Sequence, residues 1–190
     1  MKRRQFLKTA SCASVASILG DLVLATQSSD VGRARRGFQR RNGIEYDTKM
    51  KLRVVLDTNV LVTAIRSRNG ASFQVLSSLV ADRFDIVVST PLILEYEAAL
   101  LRHSPATAFS PEDVGTLVDS ICSIAQHQEI FYLWRPILRD PRDDMVLEVA
   151  VAAACDAIVT FNRRDFRGAD RFGLAVLAPA ELLQQLGGNE

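Results

Sequence analysis

The sequence predicts an α/β fold, namely a three-layer α/β/α sandwich with a central parallel sheet. Short apolar runs alternate along the chain with longer segments whose apolar residues recur at helical spacing. This alternation is typical of a parallel sheet with helices on both faces. With 190 residues, 48% of them apolar, the chain can build one hydrophobic core and not obviously two.

The elements are predicted in order from the apolar pattern and the residues that bound it. The predicted strands are 52–56, 85–89, 129–133, 157–161 and 175–177. The predicted helices start near 60 and then cover 73–80, 91–102, 111–125, 145–154 and 179–187, with a loop at 134–142. Thr90 is the expected N-cap of the helix that begins at Pro91.

The first 49 residues differ in composition from the rest. They hold 10 Lys and Arg against 4 Asp and Glu, whereas residues 50–190 hold 13 against 18, a net charge of −5. Residues 1–25 resemble a twin-arginine export signal; the alternative is upstream sequence ahead of a true start at Met50. Residues 26–49 are predicted to be a disordered basic linker, and 50–190 the globular domain. The domain is expected to be cytoplasmic, which a genuine export signal would contradict.

Bulk charge and cysteine content exclude some classes of protein. The acidic domain shows no basic patch for nucleic acid, so local arginines and a metal ion would have to hold any nucleic acid. The three cysteines, Cys12, Cys122 and Cys155, have spacings that indicate neither a disulfide framework nor a zinc site.

Two aspartates directly follow predicted strands. Asp57 comes after 52–56, and Asp165 comes shortly after 157–161. Because residues past the carboxyl ends of parallel strands meet in one crevice, we expect both carboxylates there. Clustered carboxylates repel one another, so such a crevice typically holds a divalent cation. Thr58 and Asn59 would orient Asp57 or bind water; the alternative role for Asp57 is a turn or an N-cap.

Further acids are predicted from their positions on helices. Glu95 lies nearer the start of its helix than Glu97, and so nearer the carboxyl end of the preceding strand. Asp140, Asp143 and Asp144 precede a buried helix, where capping and the helix dipole account for one or two of them. Asp144, directly before the apolar run, is the expected crevice acid, with Asp143 as the N-cap and Asp140 in the loop.

The segment after strand 157–161 carries both amide and charged side chains. Asn162 and Asp165 flank Arg163 and Arg164. These arginines would neutralise the acids or contact a phosphate, and the alternative is an ordinary polar loop.

Taken together, these motifs resemble the PIN domain family. They are Leu56-Asp57-Thr58-Asn59-Val60-Leu61, the segment 89–95, Asp144 with its Ala-rich helix, and the segment 159–166. The resemblance covers about residues 50–186 and is greatest to the toxins of prokaryotic toxin–antitoxin pairs. Each motif alone is weak, and four in this order are fairly specific.

The resemblance implies a metal-dependent ribonuclease with a PIN-like α/β/α fold that uses Mg²⁺ or Mn²⁺. By position it implies that the catalytic and metal-binding acids are Asp57, Glu95, Asp144 and Asp165, supported by Thr58, Asn59, Thr160 and Asn162. Many relatives carry an acid at the position of Asn162, and here the acid comes later, at Asp165. The resemblance also implies an RNA substrate, a cognate antitoxin protein that blocks the acidic crevice, and a homodimer, with no stable membrane association.

Other functions fit the residues less well. His103 and His127 are isolated, and no side chain is placed for covalent catalysis. A phosphatase of the haloacid-dehalogenase type needs an aspartate at the position of Asn59, and a receiver domain needs a crevice lysine, whereas the domain's lysine, Lys51, precedes the first strand. A non-catalytic PIN-like scaffold, whose acids only cap helices, remains the alternative outside these enzyme classes.

Overall fold

The computed structural model describes residues 38–41, 44–47, 51–131, 137–138 and 140–187. Its strands are β1 (Phe38–Arg41), β2 (Ile44–Asp47), β3 (Arg53–Leu56), β4 (Asp85–Val88), β5 (Gln126–His127), β6 (Ala157–Val159) and β7 (Ala175–Leu177). Its α-helices are α1 (Thr58–Arg66), α2 (Ala71–Val80), α3 (Thr90–His103), α4 (Pro111–Ile124), α5 (Pro141–Ala152) and α6 (Pro179–Gly187). Short 3₁₀ helices occupy Ser104–Ala106 and Ala169–Phe172.

Five strands form one parallel sheet in the order β5-β4-β3-β6-β7. The chain moves from β3 to β4 and β5 in one direction, and then crosses back to β6 and β7. Because such crossovers are right-handed, α1 to α4 lie on one face of the sheet and α5 on the other. In agreement, α5 packs against β3, β4 and β6, while α1 contacts both α2 and α3, and α3 contacts α4. The predicted three-layer α/β/α sandwich is confirmed.

The centre of the sheet is buried on both faces, as the continuous apolar runs predict. Val54, Val55 and Leu56 in β3 have no exposed surface, and neither have Ile158 and Val159 in β6. These two strands pair directly, with Leu56 opposite Val159. The residues that follow them therefore start from fixed, neighbouring positions.

The third predicted strand, 129–133, is wrong in its position. The structure places β5 at Gln126–His127, where it pairs with Val87 and Val88. Residues 129–131 are not strand, and 132–133 lie outside the described residues. The apolar pair Ile130 and Phe131 suggested a strand, but this pair lines a surface pocket. The true strand is an exposed polar edge, which has no apolar pattern to reveal it.

Two predicted helix starts are also corrected. Ser89, not Thr90, caps α3, since its Oγ accepts a hydrogen bond from the backbone N–H of Leu92 (3.4 Å). Asp140, not Asp143, caps α5, since its Oδ1 accepts from the backbone N–H of Arg142 (2.9 Å). In both helices the cap precedes the predicted start, and α5 begins four residues before the predicted 145.

The segment ahead of the sheet is described only in part. β1 and β2 pair as an antiparallel hairpin, within the region predicted to be a disordered linker. Residues 1–37, and with them the resemblance to an export signal, lie outside the described residues, and the domain boundaries stay a prediction. In the part of the chain that the structure describes, no helix has both the length and the hydropathy to cross a bilayer.

Candidate active site

The candidate site lies where the strand order reverses, at the carboxyl ends of β3 and β6. Strands are added first on the β4 side of β3 and then on the β6 side, so the connections leave in opposite directions and open a crevice. Asp57 directly follows β3, and Thr160 directly follows β6. The backbone N–H of Asp57 donates to the carbonyl oxygen of Val159 (2.9 Å). This bond continues the pairing of β3 with β6 into the site.

Asp57 is a buried carboxylate held by several donors. It is 6% exposed, and its Oδ2 accepts hydrogen bonds from Thr160 Oγ1 and Asn59 Nδ2, both at 2.6 Å. Burial raises the pKa of Asp57 above its usual value and Asp165 adds to the rise, while the hydrogen bond from Thr160 and the backbone N–H groups of Asn59 and Thr58 oppose it. The hydrogen bonds thus hold the carboxylate of Asp57 in one orientation.

Thr160 completes its hydrogen-bonding capacity within this network. Its fully buried hydroxyl donates to Asp57 and accepts from Asn59 Nδ2 (3.1 Å) and from the backbone N–H of Asn162 (2.9 Å). A hydroxyl has one donor and two acceptor positions, so all three are used. The predicted supporting residues Asn59 and Thr160 therefore fix the rotamer of Asp57, whereas Asn162 contributes its backbone and has an exposed side chain.

Asp143 shares the crevice with Asp57 and Asp165. Burial, followed by the negative charges of Asp57, Asp140, Asp165 and Asp144, raises the pKa of Asp143 to about 6. Like charges raise a carboxyl pKa in this way only when they lie close together in a partly desolvated site. The third position of α5 thus directs Asp143 toward the crevice.

Asp144 has a different environment. It is 2% exposed, and its Oδ1 accepts from the backbone N–H groups of Leu138 (2.8 Å) and Ile137 (3.3 Å). It lines an apolar pocket of about 250 Å³ between α5 and the segment after β5, and its buried Oδ2 has no hydrogen-bond partner. Asp143, predicted to be the N-cap, is therefore the residue on which the charges of Asp57 and Asp165 act, while Asp144, predicted to be the crevice acid, binds the backbone before α5.

Glu95 is not among the charges that act on Asp57 and Asp143. It is partly buried on α3. Glu97 faces α4, where it adds to the rise in the pKa of the Cys122 thiol that burial and Asp119 also produce. The preference for Glu95 over Glu97 stays a prediction, since the structure does not join Glu95 to the crevice.

Tyr96 was not predicted to belong to the site. Its side chain is fully buried, and its hydroxyl donates a hydrogen bond to the carbonyl oxygen of Leu56, the residue before Asp57. Burial and the charge of Asp57 raise the pKa of Tyr96 well above its usual range, so the hydroxyl stays protonated. Between two glutamates on an apolar helix, Tyr96 gives no sequence signal for this contact.

The arginines after β6 do not neutralise the acids as a group. Arg163 pairs with Glu181 of α6 (2.9 Å), and Glu181 also accepts from the backbone N–H of Ala178 (2.7 Å). Arg164 is exposed. The crevice therefore keeps an excess of negative charge.

The donor set suits a hard divalent cation. Among the described residues no three His, Cys, Asp or Glu side chains are grouped closely enough to form a complete metal cage. Mg²⁺ keeps several waters and needs only one or two direct carboxylates, and Asp57, Asp143 and Asp165 supply hard oxygen. A cation would also relieve the repulsion that raises the pKa values of Asp57 and Asp143.

Comparison with known protein families identifies the family of this chain. The sequence model of the PIN domain family matches residues 53–164, more than half of the chain. The chain belongs to the PIN domain family, which confirms the resemblance noted from the motifs.

A solved structure and the curated proteins complete the comparison. The crystal structure of VapBC2 from Rickettsia felis, bound to a DNA fragment from their promoter, is similar at 16% sequence identity and a TM-score of 0.47. The similarity covers 67% of this chain and 98% of that chain. No curated protein matches the sequence.

Proposed function

We propose that this protein is a metal-dependent endoribonuclease that hydrolyses RNA phosphodiester bonds as the toxin of a toxin–antitoxin pair. The observation that carries the proposal is the convergence of Asp57, Asp143 and Asp165 at the strand switch point, where the charge of Asp165 adds to the rise in the pKa of Asp57 and the charges of Asp57 and Asp165 add to the rise in the pKa of Asp143. Membership of the PIN domain family supports the nuclease class.

The residues would divide the work by their surroundings. Mg²⁺ or Mn²⁺, when bound, supplies a Lewis acid and activates a water for attack on phosphorus. Asp57 would be the direct ligand, because Thr160 and Asn59 hold its carboxylate in one orientation. Asp143 would take the role of metal-binding acid that was predicted for Asp144. Asp165 would complete a second metal position or orient the attacking water.

Glu95 and Asp144 keep narrower roles in this proposal. Glu95, whose charge is not among those that shift the pKa values of Asp57 and Asp143, would act through a bound water. Asp144 would hold the entry into α5, because its Oδ1 accepts two backbone N–H groups there.

The partners follow from the same proposal. RNA is the substrate, and a cognate antitoxin protein would cover the acidic crevice. We also propose that the protein forms a homodimer. We propose a cytoplasmic location, because the RNA substrate and an antitoxin would both be found in the cytoplasm.

RNA cleavage by the purified full-length chain tests the proposal. We expect cleavage with Mn²⁺ or Mg²⁺ and none with EDTA, and we expect Asp57→Asn to abolish it. Asp119→Asn is the matched control, because Asp119 is an exposed acid on α4 outside the crevice. Full activity of Asp57→Asn, or equal loss in both variants, would contradict the assignment.

A non-catalytic PIN-like scaffold is the second candidate. It is favoured by the lack of a complete three-ligand cage among the residues described. A cation that binds the folded state raises its melting temperature by mass action. If Mn²⁺ leaves the melting temperature unchanged and no RNA is cut, the scaffold is the better description.

A further inference from the structure

We propose that Phe161 stacks on an unpaired base of the RNA next to the bond that is cleaved. The inference rests on the proposed ribonuclease function, and it adds which part of the RNA substrate the protein recognises. Its starting point is a phenylalanine that is 48% exposed directly after Thr160, at the rim of the acidic crevice.

The backbone of Phe161 is fixed by the same network that orients Asp57. Its N–H donates to Asn59 Oδ1 (3.3 Å), and the next N–H, that of Asn162, donates to Thr160 Oγ1 (2.9 Å). The backbone that carries the ring is therefore held beside the crevice, while the side chain stays partly open to solvent. Phe166, the other aromatic residue in this segment, is 2% exposed and belongs to the core.

The charges around Phe161 suit a nucleic-acid backbone. Residues 161–171 contain four arginines and two aspartates, a net charge of +2 in a domain of −5. Arg164 and Arg167 are exposed, and exposed guanidinium groups bind phosphates well. An aromatic ring for the base together with arginines for the phosphates is the usual combination in proteins that bind single strands.

Stacking on Phe161 requires a base whose face is free. In a duplex both faces of each base are covered by its neighbours, so an aromatic side chain reaches bases in loops, bulges and ends. The exposed ring would thus favour unpaired RNA over duplex RNA at this site, whatever the sequence of the strand.

Binding without metal separates stacking from catalysis. The probe is a short single-stranded oligoribonucleotide containing 2-aminopurine, whose fluorescence falls on stacking, titrated with full-length protein in EDTA. We expect Phe161→Leu to bind about 5- to 140-fold more weakly, since base stacking is worth roughly 1–3 kcal/mol, and to lose most of the quenching. Phe161→Trp should retain both binding and quenching.

Phe131→Leu is the matched control. Phe131 is also an exposed phenylalanine, at 79%, but it follows the edge strand β5 and lines the pocket beside α5. An equal loss of affinity in Phe131→Leu and Phe161→Leu would overturn the proposal, because it would indicate general apolar contact. Unchanged binding and quenching in Phe161→Leu would overturn it directly.

Cleavage with Mn²⁺ then distinguishes the two levels of inference. If wild type cuts single-stranded RNA and Phe161→Leu raises KM more than it lowers kcat, the stacking role is supported. If wild type cuts RNA and the variant cuts single-stranded and duplex RNA as wild type does, stacking fails while the ribonuclease function stands. If wild type neither cuts nor binds RNA, both fail.

Discussion

Replacing Asp143 by asparagine should stabilise the metal-free protein at neutral pH and much less in acid. The structure raises the pKa of Asp143 from its ordinary 3.8 to about 6 through burial and neighbouring acids. A group with a raised pKa contributes stability below its unfolded pKa, near pH 4, and this contribution is lost as the pH rises through about 6. The asparagine keeps the neutral form at every pH.

The magnitude follows from the pKa shift and the exposure of the carboxyl group. A shift of about two units corresponds to roughly 3 kcal/mol at 1.36 kcal/mol per unit. Asp143 is only partly buried, so solvent screening reduces the expected gain to about 1 kcal/mol. For a chain of this size that gain corresponds to a rise in melting temperature of about 2–4 °C.

Thermal unfolding in EDTA at pH 4.5 and pH 7.5 measures the effect. We expect Asp143→Asn to melt about 2–4 °C above wild type at pH 7.5 and above it by a much smaller margin at pH 4.5, where most of the native carboxyl is protonated. Added Mn²⁺ should raise the melting temperature of wild type more than that of the variant, because the variant lacks one of the repelling carboxylates. Asp119→Asn, the exposed control, should show neither effect.

Two results would refute the reasoning. If Asp143→Asn lowered the melting temperature equally at both pH values, the carboxylate of Asp143 would be stabilising the first turn of α5 rather than facing the other acids. If Asp144→Asn instead showed the pH-dependent gain, the assignment of Asp143 as the acid that faces Asp57 and Asp165 would be wrong.

Three further variants test the supporting contacts. Thr160→Val removes a hydrogen-bond donor to Asp57 and should raise the pKa of that carboxyl further. Calorimetric titration should therefore find that Mn²⁺ binding needs a higher pH. An unchanged pH profile of Mn²⁺ binding would count against the role of Thr160. Tyr96→Phe removes the hydroxyl that donates to Leu56 and should lower the free energy of unfolding by about 1 kcal/mol in urea, the net value of one such bond, and a variant as stable as wild type would show that the contact contributes nothing. Asp144→Ala leaves two backbone N–H groups before α5 without their acceptor and should cost roughly 1–3 kcal/mol at both pH 5 and pH 8, whereas a loss at only one pH would point to a titrating role.

The sequence predicted the class of fold and the position of the central acid, because both depend on local pattern. Continuous apolar runs identified β3 and β6, and Asp57 follows β3 without an intervening residue. Since parallel strands place their carboxyl ends at one edge, the convergence of Asp57 with Asp165 also followed from the order of the elements. The family resemblance rested on these same segments.

The start of α5 shows where a local pattern was read incompletely. The apolar run begins at Met145, and this suggested a helix from that point. The Asp140-Pro141 pair carried the true start, because a capping side chain followed by proline is a common first turn. The same signal, at Ser110-Pro111, was read correctly for α4.

The sequence by itself determined which residues form the buried sheet and which acids follow its strands, since these properties repeat along the chain at short range. Only the tertiary structure decided that Asp143 faces the other acids, that Asp144 holds the loop, and that Tyr96 supports the end of β3. Each depends on groups that lie far apart in the sequence, or on the angle at which a helix meets the sheet. Such relations come from packing in three dimensions, which the spacing of residues along one element does not specify.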